Sequence, residues 1–332
     1  MNGVQKVIKY CAMAFAIFLS VVILGSIVSA VVGVTTGIAG ISVLMGDDKE
    51  RISLSEEYSL EKAKELGITS ILVDCNAEIT VKEGDVLAIE AENVTDDYTI
   101  RQTNGKFSIV EETPKFNFVF DFNFGFMDAS ERETVVVTIP EDLSTEQVEI
   151  LSGSGAVAVT GIVTENLTVD SGSGKVTAEN VAAERMYVDS GSGRVKISGA
   201  TMSDTEIYSG SGGVTVEDSK LGKLILDTGS GAVRMENTEA TEADVDTGSG
   251  AVSYSGILTG TCEFETGSGA LSLRIDGSEE DYRVKAECGS GTFRINGKKV
   301  DDGSYGANVK GEFLINSGSG AVDVEFNTPA KD

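Results

Sequence analysis

The sequence contains no histidine and only four cysteines among its 332 residues. Without histidine, the usual general base and the commonest metal ligand are missing, so Ser-His and Cys-His catalysis are excluded. Cys11, Cys75, Cys262 and Cys288 are too few and too scattered to form a disulfide scaffold or a zinc ribbon. Only catalysis by carboxylates remains possible.

Basic residues are also scarce, with 26 Lys and Arg against 53 Asp and Glu and a net charge of −27. Lys6 and Lys9 are the only charged residues before residue 46, so the rest of the chain is still more acidic. A surface of this sign repels nucleic acid and anionic lipid, and it suits cations, basic partners or simple solubility. We therefore expect no nucleic-acid partner and, since no phosphate-binding loop is present, no cofactor.

A long uncharged segment lies near the N-terminus. No charge interrupts residues 11–45, and the core Ala12–Val34 exceeds the roughly 20 apolar residues that a bilayer span needs. We predict a transmembrane anchor over residues 1–46. The alternative is a cleaved signal peptide, because Val28-Ser29-Ala30 resembles a cleavage site, but the apolar region of a signal peptide has only about 7–15 residues.

The charges on the two sides of this segment differ. Lys6 and Lys9 precede it and the acid-rich stretch Asp47–Arg51 follows it, and basic residues favour the cytoplasmic side. We therefore expect a single-pass cell-membrane protein whose acidic body lies outside the cytoplasm. Small residues recur every four positions, at Gly25, Ser29, Gly33 and Gly37. This stripe allows two membrane helices to approach closely and predicts a homodimer, although small residues are also simply common in such helices.

The main feature of the chain is a repeated tetrapeptide of the type [Ser/Thr/Cys]-Gly-Ser-Gly. Seven copies follow one another at a constant spacing of nineteen, starting at Ser152, Ser171, Ser190, Ser209, Thr228, Thr247 and Thr266. Two further copies start at Cys288 and Ser317, each after a longer interval than the others. The longer intervals predict insertions around Gly277–Asp281 and Gly297–Gly306. Repeats of this length are typical of solenoids.

The residues around each tetrapeptide alternate between apolar and polar, as in a strand with one buried face. Five and seven residues after the motif start stand pairs such as Val157 and Val159. The position two residues before the motif is apolar in every copy: Ile150, Val169, Val188, Ile207, Leu226, Val245, Phe264, Ala286 and Ile315. The sequence therefore predicts an all-β fold, a parallel β-helix or solenoid with 19-residue coils stacked about 4.8 Å apart.

We expect the glycines of the tetrapeptide to form the corner of each coil, because a sharp corner needs positive φ and because a β-carbon would clash where coils press together. The serine between them is expected to form a ladder of side-chain hydrogen bonds. The corner glycines are Gly153, Gly155, Gly172, Gly174, Gly191, Gly193, Gly210, Gly212, Gly229, Gly231, Gly248, Gly250, Gly267, Gly269, Gly289, Gly291, Gly318 and Gly320.

Two regions separate the anchor from the coils, which occupy residues 149–328. Residues 47–67 are predicted to contain a linker helix, with Ser53 and Glu56 as a capping box and Gly67 as a stop. Residues 68–148 alternate like several strands and predict a β cap that covers the first coil, because an open solenoid end invites aggregation.

The coils, read together with Thr134–Pro140 and Ile68–Asp74, resemble the bacterial putative-adhesin family, a domain of unknown function made of β-strand repeats and often attached to an N-terminal membrane helix. The resemblance covers roughly residues 68–326. It implies a β-helical, envelope-associated protein, and it supplies no catalytic residue.

An aromatic stripe occupies alternate positions before the coils, at Phe116, Phe118, Phe120, Phe122, Phe124 and Phe126. An extended chain would place all six rings on one face. One interpretation is that this face packs on the cap or the first coil, as large apolar side chains usually do. The other is an exposed interaction patch.

Carboxylates precede the corner in most coils, at Asp170, Asp189, Asp227, Asp246, Glu265 and Glu287. Stacking predicts a row of them, which is either a solvated acidic face or a weak site for a divalent cation such as calcium. The row lacks the dense acidic loop of dedicated calcium sites. Cys262 and Cys288 differ by four positions in the repeat, about 13 Å of extended chain, which is too far for a disulfide.

These features together predict a membrane-anchored, non-catalytic interaction or adhesin-like scaffold of the cell envelope, whose partner is an unidentified protein or envelope polymer. The alternative is a carbohydrate-active parallel β-helix enzyme, which would use carboxylates and basic residues. Basic residues follow the corner in some coils, such as Lys175, Arg194 and Arg234, and regular repetition without a distinctive coil favours a structural surface. An intracellular-facing scaffold is the third possibility, if the orientation is inverted.

Overall fold

The structure is a computed structural model that describes residues 51–112, 132–307 and 309–327. In these residues no helix is long and apolar enough to cross a bilayer. The predicted anchor over residues 1–46 and the aromatic stripe Phe116–Phe126 lie outside the described residues.

The described chain is almost entirely β-structure. Its one α-helix is α1 (Leu60–Glu65), and a 3-10 turn covers Glu279–Asp281. The strands are β1 (Ile52–Tyr58), β2 (Ser70–Asp74), β3 (Glu78–Gly84), β4 (Leu87–Val94), β5 (Tyr98–Thr103), β6 (Lys106–Glu111), β7 (Thr134–Pro140), β8 (Gln147–Ser152), β9 (Val157–Thr160), β10 (Val163–Ser171), β11 (Val176–Glu179), β12 (Ala182–Ser190), β13 (Val195–Ser198), β14 (Thr201–Ser209), β15 (Val214–Glu217), β16 (Lys220–Thr228), β17 (Val233–Thr247), β18 (Val252–Leu258), β19 (Gly260–Thr266), β20 (Leu271–Ile275), β21 (Tyr282–Cys288), β22 (Phe293–Ile295), β23 (Lys298–Val300), β24 (Gly303–Gly306), β25 (Gly311–Ser317) and β26 (Val322–Phe326).

The central strands form two long parallel ladders that share β17. In the first sheet, β8, β10, β12, β14, β16, the second half of β17 and β19 follow one another. In the second sheet, β9, β11, β13, β15, the first half of β17, β18 and β20 do the same. One strand of each sheet and the corner between them make one rung. Equivalent residues pair at a shift of 19, as Val169 does with Val188, so the predicted all-β solenoid is confirmed.

The core lies between the two sheets and consists of columns of apolar side chains. Val169 and Val188 of the first sheet are completely buried, as are Val195 and Ile197 of the second. Because stacked rungs place equivalent residues above one another, each inward position of the repeat becomes a continuous apolar stripe along the solenoid.

Glycine is needed at the corners because neighbouring rungs approach very closely there. A β-carbon on Gly174 would lie 1.9 Å from the carbonyl oxygen of Gly155, and one on Gly172 would lie 2.4 Å from that of Gly153. The expectation of positive φ is wrong: left-handed glycines occur at other positions, and none of the corner glycines is among them. The close contact with the rung below therefore explains why glycine occupies the corner positions.

The buried hydroxyl that opens the tetrapeptide stabilises each corner from inside. Ser171 is 1% exposed, and its Oγ donates to the carbonyl of Gly174 at 3.2 Å; Ser190 donates to Gly193 at 3.0 Å. The expected ladder between the middle serines is replaced by a backbone ladder, in which the N–H of Ser173 donates to the carbonyl of Gly153 at 2.9 Å. The middle serines themselves are exposed.

Each rung returns through a second tight turn, which requires a left-handed residue. The same position of the repeat holds Gly161, Asn180, Gly199, Asp218 and Asn237, all with φ between 49° and 73°. Glycine, Asn and Asp are the residues that adopt this conformation at least cost. This column was not predicted, although its regular spacing is visible in the sequence.

At the N-terminal end, residues 68–148 do not form a cap that is separate from the coils. β2 and β3 stack directly on β8 and β9 as a further rung, and β6 and β7 stack outside them. Antiparallel strands cover the end: β5 on β6, and β4 then β1 on β7. The linker-helix prediction is wrong over most of its length, since residues 52–58 are strand β1 and α1 is capped by Ser59 in place of Ser53.

The C-terminal end departs from the predicted order of coils. β25 and β26 stack on β19 and β20, and β21 and β22 stack outside them. The last coil in the sequence is therefore the second-to-last rung, inserted between two coils that precede it. β24 pairs antiparallel with β21, and β23 with β22, so the predicted insertion at Gly297–Gly306 closes this end.

Adjacent glycines of one corner provide a test of the close-approach argument. A β-carbon on Gly212 would lie 1.8 Å from the carbonyl oxygen of Gly193, whereas one on Gly213 would lie 3.4 Å from that of Ala232. We expect Gly212→Ala to lower the free energy of unfolding by about 1–3 kcal/mol or more, as overpacked cores do, and Gly213→Ala to change it little. Denaturant unfolding followed by circular dichroism measures both, and equal effects would contradict the argument.

Candidate interaction surface

The outward side chains of the first sheet form three parallel columns. Their members stand in register in neighbouring rungs. The charged column is Asn166, Arg185, Asp204, Lys223 and Glu242. The central column is Thr168, Tyr187, Glu206, Ile225 and Asp244. The carboxylate column is Asp170, Asp189, Tyr208, Asp227, Asp246 and Glu265, and it continues through Asn316 to Glu287 in the reordered end rungs.

A groove of about 410 Å³ runs along the charged and central columns. Tyr187 is 38% exposed and is one of few large hydrophobic side chains that reach the described surface. Its ring lies 5.6 Å from the ring of Tyr208, tilted by 41°. The two tyrosines give an otherwise polar face an aromatic contact area with hydroxyl groups.

The charged column alternates in sign along the solenoid. Arg185 donates from Nε to Oδ1 of Asn166 at 2.7 Å, and it lies 3.7 Å from Glu184. Asp204, Lys223 and Glu242 are exposed, and within the described chain their side chains form no hydrogen bond or ion pair. The column therefore presents alternating charges to any molecule that binds this face.

The carboxylate column brings like charges into neighbouring rungs. Burial raises the pKa of Asp246, and the charges of Asp227 and Glu265 in the adjacent rungs raise it further. The Nδ2 of Asn316 donates to Glu265 at 3.0 Å, and this hydrogen bond offsets part of the carboxylate repulsion at that end of the row. In the described residues, no group of three or more Asp, Glu, Cys or His is arranged to hold a metal ion, so weak cation binding by the row remains a prediction.

The three described cysteines are free and buried. Burial raises the pKa of Cys75 and of Cys262 to about 12, and it also raises the pKa of Cys288. The reordering of the C-terminal rungs places β25 between the strands that carry Cys262 and Cys288. These thiols therefore act as small core residues.

Comparison with known proteins identifies the family. The Toastrack DUF4097 family model matches residues 68–325, so the chain belongs to this family, a domain of unknown function. No curated protein matches the chain.

Several solved structures match this chain at low sequence identity. A putative lipid binding protein from Parabacteroides distasonis ATCC 8503 is 12% identical over 84% of this chain and 98% of its own, with a TM-score of 0.48. A putative adhesin from the same organism is 12% identical over 83% and 98%, with a TM-score of 0.42. One from Parabacteroides merdae ATCC 43184 is 10% identical over 84% and 98%, with a TM-score of 0.40.

Sequence reasoning identified the carboxylate column but not the charged column or the tyrosine pair. The charged column stands five residues before each motif start, where polar residues of either sign look like an ordinary exposed strand position. Its alternation becomes visible only when the residues at this position are read in rung order.

The like-charge contacts of Asp246 predict a gain of stability when the carboxylate is removed. Because the folded-state pKa of Asp246 is raised, its ionised form is disfavoured in the folded chain, and this penalty disappears as the pH falls below that pKa. We expect Asp246→Asn to raise the free energy of unfolding at pH 7 by about 0.2–1 kcal/mol and to have little effect at pH 3.

Denaturant unfolding at both pH values measures the effect. Asp204→Asn is the matched control, since its rung neighbours are the basic residues Arg185 and Lys223, and it should give no gain. A gain for Asp246→Asn that persists at pH 3 would contradict the electrostatic explanation.

Proposed function

We propose that the protein is a non-catalytic interaction protein of the bacterial envelope, with an adhesin-like or scaffolding role. The N-terminal segment anchors it in the cell membrane, and the solenoid lies on the extracytoplasmic side. The observation that supports the role is the outer face of the first sheet, where three columns of exposed side chains run across many rungs without interruption. Such a face suits an extended partner, either a protein or an envelope polymer.

The arrangement of acidic residues also favours binding over catalysis. General acid and base catalysis needs carboxylates placed together around one reacting bond. Here the carboxylates repeat from rung to rung, and the basic residues of the same face, Arg185 and Lys223, are likewise spread over separate rungs of the charged column. Turnover of a polysaccharide by the purified chain would instead support the β-helix enzyme alternative.

A binding experiment tests the role of this face. The full-length chain in detergent is incubated with isolated cell envelopes, and the bound fraction is measured by sedimentation. We expect Tyr187→Ala together with Tyr208→Ala to weaken binding about tenfold, since exposed tyrosines supply much of the contact energy in interfaces. Thr177→Ala together with Lys196→Ala, on the outer face of the second sheet, is the control and should bind as the native chain does. Equal binding by both variants, or none by the native chain, would contradict the proposal.

Labelling on intact cells tests the location. Cys288 is only 7% exposed and its pKa is raised, so it should react slowly with an impermeant maleimide. Ser230 is exposed at a corner, and Ser230→Cys should react quickly. We expect strong labelling of Ser230→Cys on intact cells and weak labelling of the native chain. Labelling of Ser230→Cys only after lysis would show that the solenoid faces the cytoplasm.

A further inference from the structure

The order of charges along the charged column is self-complementary. Its four central members are Arg185, Asp204, Lys223 and Glu242, in rung order. Read from the other end, every position carries the opposite charge. The adjoining positions of the same column, Asn166 and Thr261, are uncharged. Beyond Thr261 the column continues with Glu312 and Arg283, which lie 3.7 Å apart. The alternating pattern therefore covers four rungs that span about 14 Å.

We propose that the outer face of the first sheet associates with the same face of a second copy of this chain, with the two charged columns antiparallel. The two-fold axis runs parallel to the strands and passes between the rungs of Asp204 and Lys223. Arg185 then faces Glu242 of the second copy, and Asp204 faces Lys223. In such an isologous contact each pair occurs twice, so four ion pairs form.

The charges are free to make these contacts. Asp204, Lys223 and Glu242 are exposed, and their side chains form no hydrogen bond or ion pair within the described chain. Arg185 is also exposed, and its polar contacts to Asn166 and Glu184 leave guanidinium donors available. Complementary charge on a surface chiefly sets partner choice and register, which is what an antiparallel pairing of repeated rungs needs.

The neighbouring columns make the contact a weak one. The same axis sets Asp189 against Asp246 of the second copy, which is repulsive, and Tyr208 against Asp227, where the phenol can donate to the carboxylate. In the central column it sets Tyr187 against Asp244 and the carboxylate of Glu206 against the apolar side chain of Ile225. A patch of four rungs and three columns is also small compared with stable interfaces. The association is therefore of the transient class, strengthened when many copies are displayed together.

Charge reversal tests the pairing directly. Sedimentation equilibrium of the full-length chain in detergent gives the dissociation constant at about 0.15 M salt, where charges act over about 8 Å and the net acidity of the two bodies is largely screened. We expect Arg185→Glu and Glu242→Arg each to weaken association at least about tenfold, because each creates two like-charge contacts. The double variant Arg185→Glu with Glu242→Arg exchanges the two charges, and it should associate within about threefold of the native chain.

The controls separate this contact from other causes. Arg194→Glu makes the same change of net charge at an exposed corner position and should leave association unchanged. Asp246→Asn removes the repulsive pair and should strengthen it. A monomeric native chain, single reversals without effect, or a double variant no better than the single ones would each overturn the proposal. A dimer formed through the membrane helices would appear as association insensitive to every variant.

Discussion

The structure depends on the approach of one corner to the next. Rungs of a parallel solenoid lie at the spacing of hydrogen-bonded strands, and at the Gly-Ser-Gly corner the carbonyl oxygen of one rung occupies the place where a β-carbon of the next would be. Only glycine permits this spacing to continue around the bend. The two sheets can then stay in register along the solenoid, and the inward Val, Ile and Leu residues merge into one core.

The corner also contains polar groups, and hydrogen bonds within the protein satisfy them. Ser171 and its equivalents point inward, and most of them donate to the carbonyl three residues later. A buried hydroxyl without a partner is costly, which explains why only Ser, Thr and, once, Cys occupy this position.

The ends are built differently from the middle. At each end the rung nearest the chain terminus is second to last, with β2–β3 lying under β6–β7 and β25–β26 lying under β21–β22. Both terminal segments are thereby hydrogen-bonded on two sides, and the outermost rungs are covered by antiparallel strands. This arrangement protects the open edges that would otherwise recruit other chains.

The sequence by itself determined the repeat, the inward columns and the identity of the corners, because a constant period forces the same side-chain environment on every rung. It also indicated the carboxylate column, since register follows from the period. Only the tertiary structure decided the order of the end rungs. The longer intervals before Cys288 and Ser317 reveal inserted residues but not which strand edge the chain returns to, because equivalent coils offer nearly equivalent partners for backbone hydrogen bonds. The reason for the corner glycines, a contact between equivalent residues of adjacent rungs and not a local φ, was likewise decided by stacking.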